Sequence, residues 1–409
     1  MIEKFIKFIF ILSCGGIMST GYFYDINERI KLFGIDISLV IGMTYAISAS
    51  LLLITIQHLR DDLTKNILYL LFICVILISP ILWLNYGIND YGLRKYLSFS
   101  LIIVPISFLI IEKFSRRDIK TLILVLFSVS VLLLILGWIN FGERLSQQGQ
   151  RMSVMGGGPI VFGRWLLIGA LILFVYPRVR IKYKLILIPL FVFMAFSAGS
   201  RGPVYTFIII LTIYLLFTFK RTGFRSLIIL FSFLFLFGAM KLFDNMGYPT
   251  LDMLEKVDEL GNPTKRMKDP NIKSARVDRI NRSIELSIEN PQGVGIGNWA
   301  EQTNKLTPLG QHHPEKEYPH NIFLELFNES SILSFLVFFI LIVHLFVNAF
   351  NELIHRDDYL LKMSFLLLCF MLINTMISGD LSDSRLLFIF ISIYISVRLL
   401  NNKKDKVDG

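Results

Sequence analysis

Long uninterrupted runs of apolar residues decide what this chain can fold into. They fall near 5–24, 35–56, 66–85, 96–112, 119–140, 158–176, 183–199, 203–219, 225–243, 331–350, 360–379 and 384–400. As a helix, a run of about 20 apolar residues matches the roughly 30 Å hydrocarbon core of a bilayer. Inside lipid such a run must be helical, because every backbone N–H and C=O has to find its partner within the segment. With 54% hydrophobic residues and a mean hydropathy of +0.62, the chain is suited to lipid rather than water as its solvent. The expectation is an all-α polytopic membrane protein with about 12 transmembrane helices.

Charge then sets the orientation. Arg116, Arg117, Lys120, Arg178, Arg180, Lys182, Lys184, Lys220, Arg221 and the tail lysines Lys403, Lys404 and Lys406 fall on one side of the predicted bundle. Short connections on the other side carry fewer cations, among them Arg29, Arg94, Lys95 and Arg201. The richer side is expected to be cytoplasmic, with both termini there. The net charge of +10 therefore reads as a topology signal, and no nucleic-acid motif accompanies it. Four parts are expected: an N-terminal bundle of about nine helices over 1–243, a large extracytoplasmic loop containing short helices over 244–330, C-terminal transmembrane helices over 331–400, and a cytoplasmic tail over 401–409. Connections as long as 244–330 are unusual and mostly functional. Lys4 and Lys7 ahead of an apolar run resemble a signal peptide, but no clear small-residue cleavage site follows, so the run is taken as the first span. Cys14, Cys74 and Cys369 sit in predicted helices without ligand spacing, which argues for neither disulfides nor a metal.

Polar residues that resist a bland explanation concentrate on the outer face. Arg201 lies in the tight turn Ser200-Arg201-Gly202-Pro203 between two spans; it either snorkels to anchor a helix end or lines a rigid ligand-binding turn. Arg164, a turn or two inside the sixth span, is costly there unless it faces a cavity, a partner or the nearby interface, which makes it a candidate anion contact. Ser274 is placed to cap a helix running to Pro291, with Val277, Ile280, Ile284 and Ile288 on one face. At 100° per residue Arg276 flanks that stripe and is expected to point into a packed site, while Arg279 and Arg282 rotate towards a solvated polar face. The alternating glycines Gly293, Gly295 and Gly297 allow backbone N–H groups to approach an anion, or chains to pack closely. His320 and Asn321 open an apolar helix holding Glu325 and Glu329. A positive helix terminus keeps the imidazole neutral and able to accept a proton; the alternative is a histidine that merely caps the helix. His312 and His313 with His320 fit no familiar metal spacing, so no metal is expected.

Three motifs taken in order, SAGSRGP around Arg201, SARVDRINRSIELSIENPQGVGIGNW around Arg276 and PHNIFLELFNE from Pro319, resemble the superfamily of O-antigen ligases and Wzy-type O-antigen polymerases. The resemblance runs through most of the chain and is strongest from about 195 to 335. It implies transfer of an oligosaccharide from an undecaprenyl-diphosphate-linked donor to an acceptor hydroxyl at the outer face of a bacterial cytoplasmic membrane, with no cofactor and no obligatory metal. Carried over, Arg201 and Arg276, with Arg164, hold the diphosphate and His320 activates the acceptor; Arg279, Arg282, Asn321, Gly293 and Gly295 are further substrate-binding candidates. Arginine forks suit phosphate oxygens, and a leaving diphosphate needs its developing charge stabilised. The acceptor is either the next lipid-linked glycan, as in a polymerase, or lipid A core, as in a ligase. Arg282 followed after ten residues by Gly293 resembles an arginine-glycine motif of polymerases and favours the first. Membrane lipid is an expected partner, and chain-length regulators or flippases are candidate ones. A lipid-linked sugar transporter is the competing class, but it calls for repeated halves around a midplane site, whereas here the polar residues crowd one face.

Overall fold

The computed structural model describes residues 2–19, 31–32, 35–55, 66–145, 154, 158–222, 275–306 and 318–408. Within them the regular structure is helical apart from a two-residue antiparallel pairing of Lys31–Leu32 with Ile35–Asp36 and a single bridge residue, Val154. The helices are α1 (Ile2–Met18), α2 (Ile37–Ile54), α3 (Ile67–Tyr86), α4 (Asp90–Lys113), α5 (Arg116–Leu145), α6 (Pro159–Val175), α7 (Ile181–Ser197), α8 (Arg201–Thr222), α9 (Ala275–Glu289), α10 (Trp299–Leu306), α11 (Ile322–Glu325), α12 (Ile332–His355), α13 (Tyr359–Ile377) and α14 (Arg385–Asp408). Among the described residues 7 helices are long and apolar enough to cross a membrane: α2, α3, α4, α5, α12, α13 and α14. Shorter apolar helices cover Pro159–Val175 and Gly202–Tyr214. The span expected at 225–243 and the loop from 244 to 274 lie outside the described residues.

Several boundaries differ from the sequence expectation for local reasons. The helix expected at 96–112 starts at Asp90, because the Asn89 side chain accepts from the Gly92 N–H (2.6 Å) and caps it. That helix also contains a π turn, Phe99–Ile103, followed by Pro105 in its next segment. Lys95, counted from sequence among the loop cations, is therefore inside α4 and only 1% exposed. The helix expected to end before Pro291 does so, at Glu289.

The chain forms two compact units. The first comprises Met1–Leu52, Arg117–Pro270 and Asp358–Phe370. Its centre is α6, buried from Phe162 to Val175 and packed along α7 and α8. Small residues let the helices of this unit approach: Gly15 in α1 faces Val125 in α5, Gly137 in α5 faces Phe162 and Met194, and Gly169 in α6 faces Ser130 and Phe191. Between lipid-embedded helices, where hydrocarbon tails are as apolar as leucine, such close van der Waals contact is a main source of association.

The second unit comprises Leu53–Arg116, Asn271–Asp357 and Met371–Gly409. Here α12 packs on α3 and α14 on α4. Their meeting point is an aromatic node: the Phe72 ring lies 5.0 Å from Phe338 and 5.7 Å from Phe388, with Phe99 edge-on at 6.2 Å. One side-chain hydroxyl bridge crosses the same helices, Tyr69 donating to Ser107 Oγ (2.8 Å) and lying 3.1 Å from Ser392 Oγ. The outward face of α12 carries Leu336, Phe339, Ile340, Val343 and Val347, a stripe suited to lipid.

Phe72→Ala empties the aromatic node and should lower stability by about 3–5 kcal/mol, read as unfolding in detergent. Ile78→Ala, on an outward-facing position 65% exposed, should change it by less than about 0.5 kcal/mol.

Candidate active site

The turn before α11 is built from unusual backbone. His320 adopts φ 59, a left-handed conformation rare for a residue with a Cβ. Asn321 follows as the helix N-cap, its side-chain oxygen accepting from the N–H groups of Phe323 (2.9 Å) and Leu324 (3.2 Å). Its Nδ2 donates to the carbonyl of Met376 (3.2 Å), tying the turn to the end of α13. The Tyr318 ring packs against the imidazole with centroids 4.2 Å apart, and the ring is half-buried. Strained, over-determined backbone of this kind clusters at functional sites.

After one turn α11 passes into a π turn, Leu326–Ser330, before Ser331 caps α12 by accepting from the Ser334 N–H (3.2 Å). Glu325 and Glu329, four residues apart and so on one face, both turn inward and are 1% exposed. Between them sits Lys95 from α4, its ammonium paired with Glu325 and 2.6 Å from Glu329 Oε2. The Lys95 ammonium also stands 5.1 Å from the centre of the Tyr91 ring. Tyr91 in turn donates to Asp380, in the connection between α13 and α14, and the Leu381 N–H donates to Glu325 Oε1 (3.0 Å). Burial pushes the Glu325 carboxyl up; Lys95 beside it pulls down, and Glu329 and Asp380 push up again. Burial also acts to raise Asp380, but Lys95, the Tyr91 hydroxyl, Ser382 and the Asp383 N–H outweigh it and hold that carboxyl low. Lys95, Tyr91 and Asp380 were missed as site residues from sequence. The available signal was Glu325 and Glu329 inside an apolar helix, which demand a cation.

The arginine-bearing helix α9 packs against α10, α11 and the π turn. Its orientation corrects the sequence expectation. Ile280, Ile284 and Ile288 are exposed, whereas Arg282, Ser283, Leu286 and Ser287 are buried. The inward face is the one with small hydroxyls: Ser283 Oγ accepts from Trp299 Nε1 (3.0 Å), and Ser287 Oγ lies 3.4 Å from Asn328 Oδ1. Arg282 is thus on the packed side rather than in solvent, and Arg279 is half-buried. The backbone of Arg276 lies in the first turn of α9; its side chain lies outside the described residues, as do His312 and His313.

The alternating glycines serve close packing. Gly293, at φ 85, donates its N–H to Asn290 O (2.9 Å) and faces the Ser330–Ser331 backbone. Gly297, also at φ 85, lies directly on Gly92, where no side chain fits. Gly295 faces the Trp83 ring, whose Nε1 donates to Ile296 O (3.0 Å). Asn89 Nδ2 donates to Gly297 O (3.0 Å), so this loop grips the connection between α3 and α4.

The other two arginines belong to the first unit. Arg164 lies in the second turn of α6 and is 4% exposed. Arg201 opens α8 after a turn with Gly199 at φ 66, and its side chain lies outside the described residues. Gly163 packs against Pro203, which brings the turns bearing Arg164 and Arg201 side by side. Each unit therefore assembles its own members: Arg164 with Arg201 in the first, α9 with the His320 turn in the second. Among the described residues no group of three His, Cys, Asp or Glu side chains is arranged to hold a metal ion.

Residues 185–339 match the family model Wzy_C, described as O-antigen ligase. The match takes in Arg201, α9 and the His320 turn. No curated protein matches the chain.

Removing the cation from the buried triad leaves two acidic groups facing each other. Lys95→Met should destabilise the protein by about 3–5 kcal/mol. Adding Glu325→Gln and Glu329→Gln to Lys95→Met should recover part of that loss; thermal unfolding in one detergent checks the order of the variants.

Proposed function

We propose that this chain, a member of the O-antigen ligase/Wzy superfamily through residues 185–339, is a glycosyltransferase that moves an oligosaccharide from an undecaprenyl diphosphate carrier to an acceptor hydroxyl at the outer face of a bacterial cytoplasmic membrane. The observation that carries the proposal is the His320 turn. It lies inside the matched segment, is held in a left-handed conformation by the Asn321 cap, and stands on a helix braced by buried charges. A base that must meet an acceptor hydroxyl in one geometry gains from such rigidity.

In this mechanism His320 takes the proton of the acceptor hydroxyl as its oxygen attacks the anomeric carbon. The bond from that carbon to the diphosphate oxygen breaks, and its electron pair leaves with the undecaprenyl diphosphate. Arg201 and Arg276, with Arg164, neutralise the charge that develops there, the task a cation performs in many soluble transferases. Arg279, Arg282 and Asn321 contribute to substrate binding, Asn321 through the cap that fixes the turn. The basic flank of the bundle supports cytoplasmic termini and an outer active site.

Polymerisation onto the next lipid-linked repeat is the first reading, supported by the Arg282 and Gly293 spacing. Ligation to lipid A core is the second, favoured by the description of the matching family. Chain-length regulators and flippases are the protein partners proposed for either.

Purified protein given a lipid-diphosphate-linked repeat unit without added metal should produce a ladder of products on a gel. His320→Ala should slow it by about 10²–10⁴-fold, the range for loss of a general base, at unchanged abundance. Arg201→Ala and Arg276→Ala should also suppress the ladder. Transfer only when lipid A core is supplied establishes the ligase; full activity of His320→Ala overturns the mechanism.

A further inference from the structure

Helix α9 has its apolar stripe on the outside. Ile280, Ile284 and Ile288 recur every four residues on one face and are 38%, 46% and 76% exposed, while Leu286 on the packed side is 1% exposed. Glu285 and Glu289 lie along one edge of the stripe and are exposed, and the buried Ser283 and Ser287 lie along the other. Three isoleucines aligned against water are unfavourable, so something apolar covers them.

The backbone around the helix says what covers them. The Pro291 carbonyl, three residues beyond Ile288, accepts from the N–H of Ile332 (3.0 Å), the first residue of α12. Gly293 faces the backbone of Ser330 and Ser331 just before it. The C-terminal end of α9 is therefore fastened at the level where a membrane-crossing helix begins. There Ile332, Leu333 and Leu336, 43%, 54% and 42% exposed, start the outward apolar stripe of α12. An apolar stripe bordered on one edge by carboxylates and tethered at the mouth of a span has the amphipathic form of a helix lying in a membrane interface.

We propose that α9 is a membrane-surface helix, with Ile280, Ile284 and Ile288 immersed among the acyl chains of the leaflet that meets the first turn of α12. The bilayer itself is the partner of this face. A consequence, which unlike the docking rests on the transferase proposal, is that α9 carries its arginine-bearing turns at the depth of lipid phosphates, where the diphosphate of a lipid-linked donor lies.

The test is collision accessibility of nitroxide labels in vesicles of phosphatidylethanolamine and phosphatidylglycerol, with no glycan present. Cys14, Cys74 and Cys369 are first replaced by alanine. Single labels then go on Ile280→Cys, Ile284→Cys, Ile288→Cys and, as controls, Glu285→Cys and Glu289→Cys. The expected result is a ratio of oxygen to nickel-chelate collisions that rises at the three isoleucine positions and falls at both glutamate positions. Nickel-chelate collisions prevailing at 280, 284 and 288 place the face in water and overturn the proposal. Collisions with neither reagent there also overturn it, because a further segment of the chain or a second copy then covers the stripe. The readout needs no transfer, so its failure leaves the transferase proposal standing, and a failed transfer assay leaves this one standing.

Discussion

The second unit depends on one buried cation, Lys95, shared between Glu325 and Glu329. An ammonium removed from water is stable only against acidic partners, and carboxylates at that depth equally need a cation. The requirement is mutual, so the α4 segment around Lys95 and the α11 segment before α12 must meet. Through the Leu381 N–H and the Tyr91 hydroxyl the same cluster also fixes the connection between α13 and α14. The His320 turn rests on this arrangement from two directions, through Glu325 below it and through the Asn321 amide on Met376.

The two units are packed by different means. In the first unit, glycines at helix crossings and a buried α6 supply close contact. In the second, aromatic rings and serine hydroxyls join α3, α4, α12 and α14. Helix α9 uses serine hydroxyls as well, but with its apolar face on the outside. Its serines face the protein and its isoleucines face out, the reverse of a helix on a water-soluble domain. Ser283 and Ser287 admit the Trp299 indole and Asn328 at short range, which bulkier isoleucines would not allow.

The glycine-rich loop after α9 illustrates how one motif admits two physical uses. Alternating glycines permit either exposed N–H groups or close backbone approach. Here Val294, Ile296 and Trp299 are buried, Gly293 bonds Asn290 and Gly297 lies on Gly92, so the loop locks α9 and α10 to the connection between α3 and α4. Its contribution to the site is indirect: it sets where the arginine-bearing helix stands beside the His320 turn.

The sequence by itself determined the helical class and most helix positions, because a run of apolar residues in lipid has no alternative to a helix. It also marked the end of α9 at Pro291, a helix opening at His320 and Asn321 and the three motifs that carry the family resemblance, all of which are local signals; that Asn321 rather than His320 caps the helix came from the structure. Tertiary structure alone decided which face of α9 turns inward, that Lys95 is buried rather than a loop cation, and that Asp380 and Tyr91 stand with Glu325. Helical periodicity reveals that a stripe exists but not whether lipid or protein covers it, and in a membrane both are apolar. Charge partners separated by more than two hundred residues, as Lys95 and Glu329 are at a separation of 234, leave no trace in local spacing.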